Sequence, residues 1–151
     1  MPIAGENAPG FQLQDHDGNT VSLSDFSGRK VVLYFYPKDD TSGCTKQACG
    51  IRDHTDDFDA KGAVVLGVSP DPVKSHVKFR EKYDLDFTLL SDPDHETAEA
   101  YGVWQEKTMY GRKYMGIVRT TFVIDGNGVI SAVLPNVKPE SHASDVLRLL
   151  G

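Results

Sequence analysis

Two runs of apolar residues along the chain predict buried strands. The sequence reads VVLYFY over residues 31–36 and VVLGVS over residues 64–69, and β-branched or aromatic side chains dominate both runs. Continuous apolar runs of this length are typical of strands that are buried on both faces of a sheet. Between them, helix-forming residues run from about Cys44 to Ala60 and end at Gly62, a residue favoured just after a helix. The pattern therefore predicts two parallel strands joined by a helical crossover.

Shorter patterned segments complete the order of elements. Residues 11–23 alternate moderately in polarity around Asp17-Gly18-Asn19, which predicts a small N-terminal hairpin. Residues 103–117 mix glycine with residues of both polarities and predict an irregular excursion. The other predicted elements are a helix over 72–83, a strand over 87–90, a helix over 93–101 ended by Gly102, a hairpin of strands 120–124 and 129–134 around Asp125-Gly126-Asn127-Gly128, and an amphipathic helix over 144–150.

This order of strands and helices is that of a thioredoxin-like α/β fold. It predicts a central mixed β-sheet flanked by helices, with the N-terminal β-hairpin as an extension. Several doubly wound α/β folds begin with similar elements, so the pattern alone leaves them open. The length of 151 residues fits one domain over residues 1–151, and no repeat or linker indicates a second one.

Charge and hydropathy exclude some classes of partner. The 22 acidic residues outnumber the 16 basic ones and give a formal net charge of −6, which disfavours nucleic acids and anionic membrane surfaces. The N-terminus shows no basic leader followed by an apolar run. The longest apolar run, around residues 31–37, is far too short to span a membrane. We therefore expect a cytoplasmic protein.

Both cysteines of the chain, Cys44 and Cys49, lie in the segment PKDDTSGCTKQACG, residues 37–50. In a reducing cytosol such a pair is more often catalytic or metal-binding than a structural disulfide. On one regular helix, five residues give about 7.5 Å of rise and roughly 140° of rotation, so a disulfide would require the first turns to unwind. That geometry favours a transient catalytic bond. The spacing does not match a CxxC motif, and a zinc site would find only these two thiols and His54 as ligands.

The start of the predicted helix favours a reactive thiolate at Cys44. A helix N-terminus carries partial positive charge and free backbone N–H groups, and both stabilise a thiolate. Thr41 and Ser42 can cap the helix or donate a hydroxyl towards the sulfur, and Gly43 permits close approach to the backbone.

Two neighbouring carboxylates oppose that thiolate. Asp39 and Asp40 place negative charge in the same loop, which disfavours a further anion there. A compensating cation is therefore expected from elsewhere in the fold. Arg119 leads the predicted strand RTTFVID (119–125) and is the best candidate, because it stays charged and presents several donors.

The same residues carry a resemblance to a known family. The segment PKDDTSGC (37–44) fits the Pro-x-x-x-Thr-x-x-Cys motif of peroxiredoxins. Cys49, five residues after Cys44, resembles the peroxiredoxin Q subgroup, also called bacterioferritin comigratory protein, and Gln47 stands where many peroxiredoxins carry Glu. Further similarity runs through FTLLSD (87–92), YGVW (101–104) and RTTFVID (119–125), so it covers nearly the whole chain.

The resemblance implies a thiol peroxidase that reduces hydrogen peroxide or organic hydroperoxides without a metal or other cofactor. Cys44 would attack the O–O bond as the peroxidatic cysteine, and Cys49 would resolve its sulfenic acid as an intramolecular disulfide. Thr41 would orient the peroxide, and Arg119 would polarise it and hold the thiolate. Pro37 would shield the pocket from water. A thioredoxin-type reductant would restore both thiols.

Two alternative functions remain open at this point. A thiol–disulfide oxidoreductase would exchange with protein disulfides but consume little peroxide. A redox-sensing binding module would turn peroxide over slowly even with excess reductant.

We expect a monomer, because the cysteine pair can close within one chain. The five histidines, at positions 16, 54, 76, 95 and 142, lie in polar stretches and are expected at the surface, with no catalytic role.

Overall fold

The computed structural model describes residues 1–150, which form nine β-strands and five α-helices. The strands are β1 (Gln12–Asp15), β2 (Thr20–Ser22), β3 (Lys30–Phe35), β4 (Ala63–Ser69), β5 (Thr88–Ser91), β6 (Trp104–Met109), β7 (Arg112–Ile117), β8 (Thr120–Ile124) and β9 (Ile130–Leu134). The helices are α1 (Ser42–Arg52), α2 (Thr55–Ala60), α3 (Val73–Tyr83), α4 (Glu96–Ala100) and α5 (His142–Leu149). None of these helices is long and apolar enough to cross a membrane.

Seven of the strands form one mixed sheet, in the order β2-β1-β5-β4-β3-β8-β9. The central strands β3 and β4 run parallel, as do β4 and β5, whereas β8 pairs antiparallel with β3. The N-terminal hairpin of β1 and β2 extends the sheet, because β1 pairs antiparallel with β5. The predicted mixed sheet with a hairpin extension is confirmed.

Strand β3 separates two hydrophobic cores. Successive side chains of a strand point to opposite faces of the sheet. Val32 and Tyr34 therefore pack on one face together with Cys44, whereas Leu33 and Phe35 pack on the other. Because both faces are buried, the run shows no polar alternation. The first core fixes α1 against the sheet, with the start of the helix close to the end of β3.

The single helix predicted over 44–60 is two helices, α1 and α2. Helix α1 ends at Arg52. The side chains of the residues that follow form hydrogen bonds with backbone carbonyl oxygens of α1. His54 Nδ1 lies 2.8 Å from Gly50 O, and Thr55 Oγ1 donates to Arg52 O at 3.0 Å. Local bonds of this kind compete with helical ones and account for the break.

The segment predicted as irregular, 103–117, is a hairpin of β6 and β7. Its turn places Tyr110 at φ +52° and Gly111 at φ +76°, the conformation of a type I′ hairpin turn. Most residues of the two strands are exposed. Without a buried face, nothing imposes the alternation of apolar residues by which a strand is recognised in a sequence.

The helix predicted over 93–101 is shorter and begins only at Glu96. The Asp92 carboxylate accepts hydrogen bonds from the backbone N–H groups of Thr97 at 3.3 Å and Ala98 at 2.9 Å, and these bonds set the start of α4. Gly102 follows the helix at φ +72°, as predicted.

Position 67 in β4 has no room for a side chain. Gly67 pairs with Tyr34 of β3 on one side and Leu89 of β5 on the other. A Cβ at this position would lie 2.9 Å from Tyr34 Cζ and 3.0 Å from Leu89 Cδ2. We expect Gly67→Ala to lower the free energy of unfolding by about 1–3 kcal/mol, the usual range for overpacking, in urea denaturation followed by circular dichroism.

The control is Gly10→Ala, because a Cβ at position 10 would meet nothing within 4 Å. We expect it to leave the free energy of unfolding nearly unchanged. Equal losses in the two variants, or none in Gly67→Ala, would contradict the packing account.

Candidate active site

Cys44 lies in the first turn of α1, just below the surface. Its side chain is 1% exposed, and both Cys44 and Cys49 are free thiols. The first backbone N–H groups of a helix have no partner within the helix. Thr41, the residue that precedes α1, makes no side-chain capping bond to them. These amides therefore remain available to a negative charge at or beside the Cys44 sulfur.

The hydroxyl of Thr41 turns back into the preceding loop. It donates a hydrogen bond to Lys38 O at 2.9 Å, so Thr41 does not cap the helix. Ser42 is the first residue of α1 and is exposed. A hydroxyl that has donated its proton can still accept through its oxygen, so Thr41 offers an acceptor beside the start of α1.

Arg119 brings a guanidinium group to Cys44. Its Nη1 lies 3.3 Å from Cys44 Sγ and donates to Gln47 Oε1 at 2.7 Å. The backbone of Arg119 is held in place because its carbonyl accepts from Val137 N at 2.9 Å. A Cβ at Gly43 would lie only 3.1 Å from Arg119 Nη2. The glycine thus allows the guanidinium to lie against the first turn of α1.

A buried polar chain continues behind Arg119. Gln47 Nε2 lies 3.2 Å from His142 Nδ1, and His142 Nε2 lies 2.7 Å from Thr121 Oγ1. Burial, opposed by the charge of Asp145 and aided by that of Arg119, lowers the pKa of His142 to about 4. The imidazole is therefore neutral near pH 7.

The expectation that all histidines lie at the surface is wrong for His76 and His142. Their side chains are 0% and 1% exposed, respectively. Polar neighbours in the sequence hide a helical spacing: His76 lies three residues before Phe79, and His142 lies four before Val146, both of which are core residues. That spacing, which places both residues of each pair on one helix face, is the signal by which they could have been found.

The carboxylate of Asp39 is buried. Its Oδ1 accepts from the Tyr36 hydroxyl at 2.6 Å, and its Oδ2 lies 2.8 Å from Ser75 Oγ and 2.7 Å from His76 Nδ1. His76 Nε2 lies 2.9 Å from the carbonyl oxygen of Leu90, which can only accept, so Nε2 carries a proton. Both Asp39 oxygens are therefore engaged by hydrogen-bonding partners other than Cys44.

Asp40 is also turned towards α3. Its carboxylate accepts from Lys82 Nζ at 2.8 Å and from the Tyr83 hydroxyl at 2.6 Å. The hydrogen bond from Lys82, followed by that from Tyr83, lowers the pKa of the Asp40 carboxyl. Both acids of the loop are thus hydrogen-bonded to residues of α3, and Lys82 places a positive charge beside Asp40.

The remaining predicted residues lie on α1 and just after β3. Cys49 is half-buried in the same uninterrupted helix as Cys44, and Pro37 is half-buried just after β3. Within residues 1–150, no three His, Cys, Asp or Glu side chains converge on a possible metal position. The structure therefore brings Cys44 and Arg119 into contact and keeps Cys49 on the same helix.

A cleft of about 1050 Å³ lies elsewhere, beside the β1–β2 hairpin. Phe11, Asp92 and Asp125 are among the residues that line it, and no cysteine, lysine, arginine or histidine does. Neither Cys44 nor Cys49 lines this cleft, and both lie on α1.

Comparisons with known proteins agree with the motif and the fold. The sequence model of the AhpC/TSA family matches residues 4–133. The chain is 54% identical over 143 residues to a putative peroxiredoxin bcp of Coxiella burnetii, covering 95% of each chain. It is 48% identical over 147 residues to peroxiredoxin Bcp of Escherichia coli K12, covering 97% of this chain and 94% of that one.

Solved structures give the same result. Peroxiredoxin Q of Xylella fastidiosa superimposes with a TM-score of 0.93 at 36% identity, covering 99% of this chain and 95% of that one. The bacterioferritin comigratory protein of Xanthomonas campestris superimposes with a TM-score of 0.88 at 38% identity, covering 93% and 89%. The thioredoxin-like fold and the resemblance seen in the motif are confirmed. The chain belongs to the AhpC/TSA family and, within it, to the peroxiredoxins of the Bcp, or peroxiredoxin Q, type.

Proposed function

We propose that this protein is a thiol peroxidase in which Cys44 reduces hydrogen peroxide or an alkyl hydroperoxide. One contact carries the proposal: the buried Cys44 Sγ lies 3.3 Å from Arg119 Nη1 at the start of a helix. A cation and a helix N-terminus both favour thiolate over thiol. The structure of the Xanthomonas campestris relative is concerned with alkyl peroxide reduction by that protein, which supports the same substrate class here.

In the first step, the Cys44 thiolate attacks one oxygen of the peroxide. An S–O bond forms, the O–O bond breaks, and the leaving oxygen takes up a proton to depart as water or an alcohol. The sulfur is oxidised by two electrons to a sulfenic acid, and the peroxide is reduced by the same two. Arg119 donates to the oxygen atoms on which negative charge develops, where a fixed donor is most effective.

Thr41 orients the peroxide, and Pro37 limits the access of water. The Thr41 oxygen, whose proton is given to Lys38 O, accepts a hydrogen bond from the peroxide O–H and thereby directs that oxygen to the sulfur, so that the other oxygen departs as water or an alcohol. Pro37 presents an apolar ring and no N–H at the end of β3, which limits the access of water to the sulfenic acid.

In the second step, the Cys49 thiol attacks the sulfenic sulfur, an S–S bond forms, and water leaves. Because Cys44 and Cys49 lie on one uninterrupted helix, the first turns of α1 must unwind before the sulfurs can meet. A thioredoxin-type dithiol then reduces the disulfide by exchange. Since the pair closes within one chain, we propose a monomeric enzyme, acting in the cytoplasm.

Substituting each cysteine separates the two steps. We expect Cys44→Ser to abolish peroxide consumption, because no other side chain carries the sulfenic acid. Cys49→Ser should form the Cys44 sulfenic acid once, detected by dimedone trapping and mass spectrometry, but lose turnover supported by thioredoxin. Peroxide consumption is measured with thioredoxin, thioredoxin reductase and NADPH.

Peroxide consumption, together with an assay of insulin disulfide reduction, tests the two alternative functions. Full activity in Cys44→Ser would overturn the proposal. Rapid reduction of insulin disulfides by the wild type with little peroxide consumption would identify a thiol–disulfide oxidoreductase. Slow peroxide turnover with excess reductant would identify a redox-sensing module.

Two glycines of α1 test the contact between Arg119 and the helix. A Cβ at Gly43 would press on Arg119 Nη2 at 3.1 Å, whereas one at Gly50 would meet Ala143 Cβ at an ordinary 3.9 Å. We expect Gly43→Ala to slow the reaction of Cys44 with peroxide about tenfold, the effect of weakening a hydrogen bond to a charged group. Stopped-flow fluorescence measures this rate.

Gly50→Ala is the matched control, because it makes the same change in the same helix without touching Arg119. It should react at the wild-type rate. If Gly43→Ala also reacts at that rate, the position of the guanidinium does not determine the reactivity of Cys44.

A further inference from the structure

A chain of hydrogen bonds leads from Cys44 into the interior of the protein. Arg119 Nη1 contacts Cys44 Sγ and Gln47 Oε1, Gln47 Nε2 lies 3.2 Å from His142 Nδ1, and His142 Nε2 lies 2.7 Å from Thr121 Oγ1. Gln47, His142 and Thr121 are all buried. We propose that His142 is a positioning residue that fixes the orientation of the Gln47 amide and, through it, the guanidinium beside Cys44.

Donors and acceptors match along this chain of hydrogen bonds for only one orientation of the Gln47 amide. A guanidinium can only donate, so Gln47 must turn its oxygen to Arg119 and its NH2 group to His142. His142 Nδ1 must then accept and carries no proton. The single proton of the neutral ring lies on Nε2, from which it is donated to Thr121 Oγ1. The low pKa of His142, about 4 as a result of its burial, keeps the ring in this neutral state.

The reversed orientation of the Gln47 amide is excluded by Arg119, because it would place NH2 against the guanidinium, donor against donor. Without an acceptor at position 142, however, the Gln47 NH2 group would be buried with no partner on that side, and the amide would lose its preferred orientation. The acceptor at Nδ1 is therefore what His142 contributes.

The fold explains why this position can control the site. His142 is the first residue of α5, and Gln47 lies in the middle of α1, which packs against α5. Arg119 immediately precedes β8, which carries Thr121. The imidazole thus joins α5 and β8 to the helix that bears both cysteines.

The two chemical steps depend on His142 in different ways. Attack on the peroxide needs the Gln47 amide and the guanidinium in place, so loss of the acceptor slows it. Disulfide formation needs α1 to unwind, and Gln47, which lies between the two cysteines, must then leave His142. Loss of the acceptor therefore does not slow the second step. A residue with a purely structural role would not separate the steps in this way.

Two substitutions of His142 form a matched pair. His142→Asn places an amide oxygen close to the position of Nδ1 and keeps the acceptor, whereas His142→Leu removes it, and both lose the bond to Thr121. In a Cys49→Ser background, only Cys44 is left to react. We expect His142→Leu to lower the rates of Cys44 with iodoacetamide and with peroxide about tenfold, because the hydrogen bond from the Arg119 guanidinium to the sulfur is then weakened. His142→Asn should react at close to the wild-type rates.

A second measurement requires no substitution. Two-dimensional ¹H–¹⁵N correlation spectra of the wild-type protein near pH 7 report which ring nitrogen of His142 carries the proton. We expect a protonated Nε2 and an unprotonated Nδ1. Protonation on Nδ1 would overturn the inference, whether or not the Leu variant folds.

The remaining outcomes are equally decisive. Wild-type rates in His142→Leu, or equal losses in the Leu and Asn variants, would overturn the positioning role. The role rests on the proposed peroxidase function only for its consequence in catalysis. If the wild type fails to consume peroxide, that function is overturned, while the iodoacetamide rates and the spectra still decide the role of His142.

Discussion

The site depends on one guanidinium group that is shared between a sulfur and an amide oxygen. Arg119 Nη1 lies 3.3 Å from Cys44 Sγ and 2.7 Å from Gln47 Oε1. The sheet makes this contact possible, because β8 runs antiparallel to β3 and pairs Thr120 with Phe35. The residue just before β8 is thereby placed beside the loop that leaves β3 and enters α1. Gly43 then provides the space in which the guanidinium lies.

Under the proposed mechanism, helix α1 must hold the Cys44 thiolate and later unwind. In the proposed cycle, the contacts of Gln47 keep the first turns of α1 ordered while Cys44 meets the peroxide, and they must break before Cys49 can reach the sulfenic sulfur. The loop before α1 is anchored separately, through Asp39 to His76 and through Asp40 to Lys82. Unwinding of α1 therefore need not disturb the loop that carries Thr41. Two acids that oppose a thiolate in the sequence serve as anchors in the fold.

A sequence predicts a structural feature well when the local pattern of residues permits only one environment for them. A continuous apolar run such as 31–36 must be buried on both faces, and two cysteines five residues apart on a helix cannot bond without unwinding. The hairpin of β6 and β7 could not be predicted in this way, because its strands are largely exposed. The burial of His76 and His142 was not predicted either, because their partners, Asp39 and Gln47, are 37 and 95 residues away in the chain. Such long-range polar contacts are set by the tertiary fold and leave little trace in local composition.

The reaction rate of Arg119→Lys with peroxide tests the central claim most directly. Lysine keeps the positive charge but loses the planar group that can serve Cys44 Sγ and Gln47 Oε1 together. We predict that the rate constant for Cys44 oxidation, measured by stopped flow, falls about a hundredfold, as when a fixed donor to a developing negative charge is removed. A rate close to that of the wild type would show that charge alone is sufficient and would contradict the account.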